Sequence, residues 1–319
     1  MWTPKDRALV GDYGSGQRLS DDQWRLMQPL IPPAKPGGRS RTTDMRCLLD
    51  SLFYLLRTGC QWTHLPPPPT FLPWPTVYGY FRAFLRTGVW ESMRHHLVIL
   101  LREVTGREPS PTAAIIDSQS VRTTEAGGPR GFDAAKKVMG RKRHIAVDTQ
   151  GRLLGVVVHA ASIQDTDGAG GLLGRVKPLY CWLRAVFADG AYNRVPALLA
   201  CFLLGLVLIV VTRPPGTKGF AVLPRRWIVE RTLGWLGRWR RLSRDYEHLP
   251  EVSEAMVTLA MSRLMLHRAV HPNRRWLVAP WLRKRGLRSI HVVAYGSAEK
   301  LANRALWRPV PRYIRPQAA

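Results

Sequence analysis

The sequence predicts an α/β protein, with a mixed five-stranded sheet and helices, preceded by a small all-helical N-terminal domain. Three observations carry this. Up to about residue 104, apolar residues recur at helical spacing, as in Met45, Leu48, Leu49, Leu52, Leu55 and Leu56. Near Ser110 the pattern changes to short apolar runs of strand length: TAAIID, RHIAVD, LLGVVVH, RAVFAD and LVLIVVT. The first three runs succeed one another as a meander and the last two alternate with helical patterns, an order that suits a mixed sheet.

Each element has a local reason. Ser20-Asp21-Asp22-Gln23 reads as a capping box opening a helix with Trp24, Met27 and Ile31. Pro29 kinks or shortens that helix, and Pro32-Pro33 stops it. A second helix is expected over 43–58, with Gly59 as its C-cap. A proline-rich loop leads to helices over 76–86 and 90–104. The first strand, 112–117, ends on Asp117. Strands 143–148 and 153–159 are joined by Asp148-Thr149-Gln150-Gly151-Arg152, a hairpin signal. A helix over 165–175 follows, then a fourth strand, 184–189, ending on Asp189. The apolar run 197–211 has Gly205 inside it and is shorter than the roughly 20 residues of a bilayer span. It reads as a helix end, a glycine turn and a buried strand. A long helix opens near Arg225 and buries Ile228, Thr232, Trp235, Trp239 and Leu242. The helical pattern fades beyond about Val270. The domains expected are therefore 1–108, 109–270 and a basic extension over 271–319.

Charge narrows the partner class. The 319 residues hold 48 Lys plus Arg against 22 Asp plus Glu, a formal net charge of +26. The extension 271–319 holds 11 of the basic residues and one acid, so +16 remains without it. Such a surface attracts polyanions, because neutralised phosphates release counterions, and nucleic acid leads the candidates. The start, MWTPKDRALVGDYGSG, lacks the apolar core of a signal peptide. Cys47, Cys60, Cys181 and Cys201 form no C-x-x-C pair and read as ordinary buried thiols of a cytoplasmic protein. The short helices with arginine-rich links suit a DNA-binding module or a helical cap on a catalytic domain, and the two are compatible.

Three acids are the candidates for chemistry. Asp117 and Asp189 close strands, and strand ends are where sites form in open α/β sheets. If their strands adjoin, the carboxylates repel unless cations stand between them. Magnesium prefers such oxygen ligands, and two metals roughly 4 Å apart can serve phosphoryl transfer. Glu230 lies one helical turn after Arg226. It reads either as a third metal ligand beside a DNA backbone or as half of a solvated Arg226–Glu230 ion pair. Asp117 and Asp189, taken singly, also fit loop-capping roles. Asp148 fits a hairpin turn and Asp165 a helix N-cap, which sets both aside. The run Lys136-Lys137-Val138-Met139-Gly140-Arg141-Lys142-Arg143 suits phosphate contact or a solvated loop. Trp235 and Trp239 read as core by their spacing, Trp227 is open, and His144, His159 and His248 lack metal spacing.

Four segments in order carry a resemblance: IIDSQSV (115–121), GFDAAKKVMGRKRHIAVDTQG (131–151), FADGAY (187–192) and RWIVERTLGWLGRWRRLSRDYE (226–247). Together they resemble the DDE transposases of bacterial insertion sequences, the insertion-sequence-five-like family. LSDDQWRLMQPLIPP (19–33), GCQWTHLP (59–66) and PWPTVYGYFRAFLRTGVWE (73–91) are similar to the helical domain that precedes the catalytic core in that group. The resemblance implies a ribonuclease-H-like fold over about 110–270, with Asp117, Asp189 and Glu230 as catalytic and metal-binding triad. It implies two Mg2+ ions, with Mn2+ able to substitute. It also implies cleavage of DNA at the element's terminal inverted repeats, then attack of the freed 3′-hydroxyl on target DNA. DNA contacts fall to Lys136, Lys137, Arg141, Lys142, Arg143, Arg226, Arg231 and Arg238. The family's glutamate motif carries Tyr three residues before the Arg and a basic residue seven after the Glu. Here Leu223 and Gly237 stand at those positions, with Arg238 one step on. Joining two ends needs two active sites, so a homodimer on DNA is expected, associated with the nucleoid and no membrane. A nuclease of the same fold without strand transfer, and a DNA-binding protein without catalysis, are the alternatives.

Overall fold

A computed structural model of the chain describes residues 18–34, 40–212 and 223–271. The basic extension, all but His271, therefore lies outside the described residues. The N-terminal elements form where expected. Helix α1 (Asp21–Met27) opens on the capping box, with Ser20 accepting from Gln23 N and Gln23 reaching back to Ser20 N. Pro29 falls in a short 3-10 turn, Gln28–Leu30, that ends the segment. Helix α2 (Met45–Thr58) is capped by Asp44 and closed by Gly59 at φ 72°, where the left-handed backbone suits glycine. Helices α3 (Trp74–Arg86) and α4 (Val89–Val104) follow.

The sheet has six strands: β1 (Ala113–Arg122), β2 (Gly131–Asp133), β3 (Val138–Val147), β4 (Leu153–Ala160), β5 (Ala185–Ala188) and β6 (Val207–Val210). The five expected strands are present, and the three-residue β2 is additional, too short to leave a periodic signal. The order is β2-β3-β1-β5-β6, with β4 also paired to β3. The β1–β3 and β3–β4 pairs are antiparallel, whereas β1–β5 and β5–β6 are parallel, so the sheet is mixed. Helix α5 (Asp165–Val176) follows β4, α6 (Val195–Leu203) links β5 to β6, and α7 (Arg226–Leu236) and α8 (Pro250–Val270) close the described chain.

Several expectations are corrected. The strand bearing Asp117 does not stop at the acid: β1 continues to Arg122 because β3 pairs with it along its length. The strand after Gly205 is not buried; β6 lies outermost in the order, with Val207 63% exposed. The helix bearing Glu230 ends at Leu236, and Trp239 and Leu242 reach the core through a turn and a 3-10 segment, Arg240–Leu242. Of the cysteines only Cys201 is buried, and Cys181 is exposed.

Helix α8 is buried on nearly every side, packing on α1, α2, α4, β4 and α7. Its polar groups are partnered: Arg263 donates to Gln23 Oε1 at 2.9 Å, and Glu254 accepts from Val158 N at 3.0 Å. One apolar core consequently runs from Leu19 to Ala269 through both the helical part and the sheet.

Candidate active site

The site forms where β1 outruns its parallel neighbour. β1 and β5 pair at Ala113–Ala185, Ala114–Val186 and Ile115–Phe187. β5 then ends, and Asp189 follows it just as Asp117 follows Ile115 two residues on. The two carboxyls are close enough for mutual repulsion, which with burial raises Asp117 to about 6; burial is the larger cause. Ser118 N donates to Asp117 Oδ1 at 2.7 Å, and Arg226 and Lys136 oppose the shift. Asp189 Oδ1 accepts from Ala191 N at 2.9 Å, so the loop-capping role is real and leaves Oδ2 facing the site.

Arg226 ties in the third acid. Its Nη2 lies 3.1 Å from Glu230 Oε1 and 3.6 Å from Asp189 Oδ2. The intrahelical ion pair expected as a surface feature is thus present, but the same guanidinium also holds Asp189. One cation therefore spans two of the candidate acids and acts on the third. Among the described residues, no group of three or more His, Cys, Asp or Glu side chains is gathered as a ready metal cage. The donor chemistry nonetheless suits a hard divalent cation: Asp117 and Asp189 repel each other, Asp189 and Glu230 share the Arg226 guanidinium, and Arg226 and Lys136 offset part of the charge.

Behind Asp117 lies a polar cluster that sequence reasoning missed. Ser118 donates to Asp165 Oδ1 at 2.6 Å. Lys142 Nζ lies 3.0 Å from Asp165 and 3.7 Å from Asp133. Asp165 is the first residue of α5 and Gln164 its N-cap, so Asp165 serves this cluster rather than the cap. Tyr192, fully buried, lies with its hydroxyl 3.2 Å from His144 Nδ1. Burial and the nearby Asp117, Asp165 and Asp189 push its phenol up. A buried Tyr in FADGAY was the available signal. His144 is lowered to about 3, first by burial, and its ring packs 4.7 Å from that of His159. Asp148 keeps its hairpin role, accepting from Gln150 N and Arg152 N, and is ion-paired with Arg102 and Arg152.

The basic run divides. Lys136 and Lys137 are exposed on the turn before β3. Arg141, Lys142 and Arg143 are buried and are not presented to a phosphate backbone. They alternate across β3, a strand covered on both faces. Arg141 pairs with Asp245 and donates to Glu247 O, Arg143 donates to Leu242 O and Arg244 O, and Lys142 meets the acids above. Arg231 is corrected likewise: it stacks over Trp227 and Trp235, donates to Gln150 O, and burial lowers it to about 10. Trp235 and Trp239 are core, and Trp227 is part-buried under Arg231. Arg238 is exposed.

Comparison with known proteins converges on one family. Residues 108–265 match the model of the transposase DDE domain, and residues 19–94 that of a putative transposase of the IS4/5 family. The chain is 31% identical over 114 residues to the insertion element IS402 uncharacterized 16.2 kDa protein of Burkholderia cepacia, covering 34% of this chain and 76% of that one. It is 28% identical over 152 residues to the putative transposase for insertion sequence element IS402 of the same organism, covering 46% and 70%. Uncharacterized protein y4sN of Sinorhizobium fredii (strain NBRC 101917 / NGR234) is 31% identical over 85 residues, covering 27% of this chain and 64% of its own length.

Proposed function

The chain belongs to the DDE transposases of the IS4/5 insertion-sequence group, with a ribonuclease-H-like core and divalent-metal chemistry on DNA, and from that membership we propose that Asp117, Asp189 and Glu230 are its catalytic triad. In this reading water cuts the element's terminal inverted repeats, and the freed 3′-hydroxyl attacks a target phosphodiester. The observation that supports it most is that Asp117 and Asp189 stand level on adjacent strands while one guanidinium, that of Arg226, joins Asp189 to Glu230.

The three carboxylates would hold Mg2+, two ions in this reading, with Mn2+ able to replace it. When bound, such ions neutralise clustered acids, activate the attacking oxygen and stabilise the leaving one. The chain's own residues supply the rest. Ser118 N and Ala191 N each fix one oxygen of an aspartate, which sets the direction of the other. Arg226 restrains Asp189 and Glu230 against their mutual repulsion. Lys136, exposed and near Asp117, is placed to meet a phosphate, and Lys137 and Arg238 add positive surface. The helical part, 1–108, binds element ends in this reading, and 109–270 carries the chemistry. No helix among the described residues is long and apolar enough to cross a membrane. We place the activity on chromosomal DNA in the cytoplasm.

The test uses purified protein, magnesium and DNA carrying the element's terminal repeats. Cleavage plus joining is expected, and Ala at any of the three acids lowers it by roughly 10³-fold or more while a gel shift persists. Cutting without joining supports a nuclease instead, and a shift without cutting a binding protein. Undiminished cleavage by any Ala variant refutes that residue's assignment.

A further inference from the structure

The turn that presents Asp189 is anchored by one side chain. Gly190, Ala191, Asn193, Arg194, Val195 and Pro196 are exposed, whereas Tyr192 is 0% exposed. Among the described residues, the backbone hydrogen bonds of 189–194 stay within this turn and the helix it opens, as where Tyr192 N donates to Asp189 O at 3.2 Å. The β1–β5 ladder gives no support here, because its last pair is Ile115–Phe187. Besides the Asp189–Arg226 ion pair, the seat of the Tyr192 ring therefore decides where Asp189 stands.

That seat is built of imidazole. The Tyr192 hydroxyl lies 3.2 Å from His144 Nδ1, and the two rings meet edge to face at 89°, 6.2 Å between centroids. His144 stands on β3 directly opposite Ser118, the residue after Asp117 on β1, and paired residues of antiparallel strands share a face. His159 packs its ring 4.7 Å from that of His144 and donates Nδ1–H to Ala160 O at 2.8 Å. Gly168 of α5 closes the seat: a Cβ there would stand 2.5 Å from His144 Nε2 and 2.7 Å from His159 Nε2. Both Nε2 atoms are buried without a hydrogen-bond partner. A buried polar atom left unpaired costs free energy, which an apolar side chain at 144 would avoid. The bond to Tyr192 is what His144 supplies and a leucine could not.

We propose that Tyr192 and His144 are positioning residues of the DNA-cutting reaction: their contact pins the turn that carries Asp189 to the strand pair that carries Asp117, and so fixes the spacing of the two carboxylates. Neither residue touches the reacting atoms. Tyr192 acts from behind them, near enough that Asp117, Asp165 and Asp189 are all felt at its phenol. Arg226 restrains Asp189 by charge from the helix side, and the pin restrains it by packing and one hydrogen bond from the sheet side. The proposal rests on the triad reading for what the spacing serves, and on this geometry for how the spacing is held.

The full chain, free of DNA, is titrated with Mn2+ while electron paramagnetic resonance reads the free ion. Tyr192→Phe keeps the ring and removes only the hydroxyl. It is expected to weaken the Mn2+ site about 10-fold, that is about 1.4 kcal/mol. In the metal-free chain it is expected to speed amide exchange over 189–194 about 10-fold and to leave exchange in β3 unchanged. His144→Leu gives the same loss of affinity, and His144→Asn, which returns a polar atom near the place of Nδ1, restores most of it. Tyr192→Phe combined with His144→Leu weakens the site no more than either alone, because both break one contact. Gly168→Ala removes no polar group, yet by displacing His144 it gives a loss in the same direction. Tyr180→Phe is the control for a purely structural role: Tyr180 is as buried, with its hydroxyl 3.4 Å from Arg94 Nη1. Its loss lowers the melting point without moving Mn2+ affinity or exchange over 189–194. Unchanged Mn2+ affinity in Tyr192→Phe overturns the proposal and leaves the triad in place. Additive losses, about 100-fold in the double variant, overturn it too. A wild-type chain without a Mn2+ site that Asp117→Asn removes refutes the triad reading instead. Exchange over 189–194 then decides the pin alone, faster exchange in Tyr192→Phe supporting it and unchanged exchange overturning it.

Discussion

Replacing Asp117 with Asn is expected to raise the stability of the metal-free protein while removing its catalysis. The Asp117 carboxyl stands at about 6 against an ordinary 3.8, because burial and Asp189 disfavour its charge. A group whose folded pKa is raised destabilises the fold once pH exceeds the unfolded value. The penalty grows between 3.8 and about 6 and is complete above. A rise from 3.8 to about 6 corresponds to about 3 kcal/mol; with solvent and Arg226 nearby, about 1–3 kcal/mol is the range expected. Asn keeps an Oδ1 to accept from Ser118 N, so the neutral side chain loses little. The assay is thermal unfolding with EDTA at about pH 7.5 and about pH 5, where the native carboxyl is largely protonated. A rise of roughly 2–10 °C is expected at the higher pH and one about half as large at the lower, where part of the penalty is already present. Adding Mg2+ then raises the wild-type midpoint more than that of Asp117→Asn. An unchanged or lowered midpoint at pH 7.5, or an equal rise at both pH values, refutes the electrostatic account of this site.

Three other outcomes follow from the same geometry. Asp148→Ala, which strands Arg102 and Arg152 in the core, is expected to cost about 3–5 kcal/mol in denaturant unfolding. Asp148 is held below its ordinary value by these arginines and two backbone donors, so its contribution is present above about pH 4 and fades as pH falls through the lowered value. Lys136→Ala with Lys137→Ala should leave the melting point unchanged and weaken DNA binding. Fluorescence anisotropy across salt should show the salt slope reduced by about 1 for each phosphate no longer neutralised. Trp239→Ala, emptying a buried site, should destabilise by about 3–5 kcal/mol, and Trp227→Ala, part-buried, by less.

The elements most legible in the sequence were those whose signals are local. The capping box at Ser20, the Asp44-to-Gly59 helix and the Asp148 hairpin each rest on interactions within a few residues, and each stands where its residues placed it. Asp189 was legible because the apolar run of β5 stops just before it, whereas Asp117 was found at the end of an apolar run although its strand continues to Arg122. What escaped depends on which elements meet. Arg141, Lys142 and Arg143 read as a surface because a basic cluster usually is one. Their partners, Asp245, Asp165 and the carbonyls of Glu247 and Leu242, lie about 20 to 100 residues away in sequence. Arg231 was misread for a different reason: Trp227 and Trp235 stand one helical turn to either side of it, so its stacking was legible in the spacing, and the fold adds only Gln150 O. The exposure of β6 was invisible because an apolar run looks alike in the middle of a sheet and at its edge.

Helix α8 has a mechanical consequence. It serves as core for α1, α2 and α4 on one side and for β4 on the other. Two modules that share a central mast cannot swing about a linker. If the helical part grips DNA, as proposed, that DNA is held at a distance and angle from the three proposed acids that were set when the chain folded. Alignment of a DNA end for cutting would then come from bending the DNA to a rigid gauge, rather than from closing the protein around it.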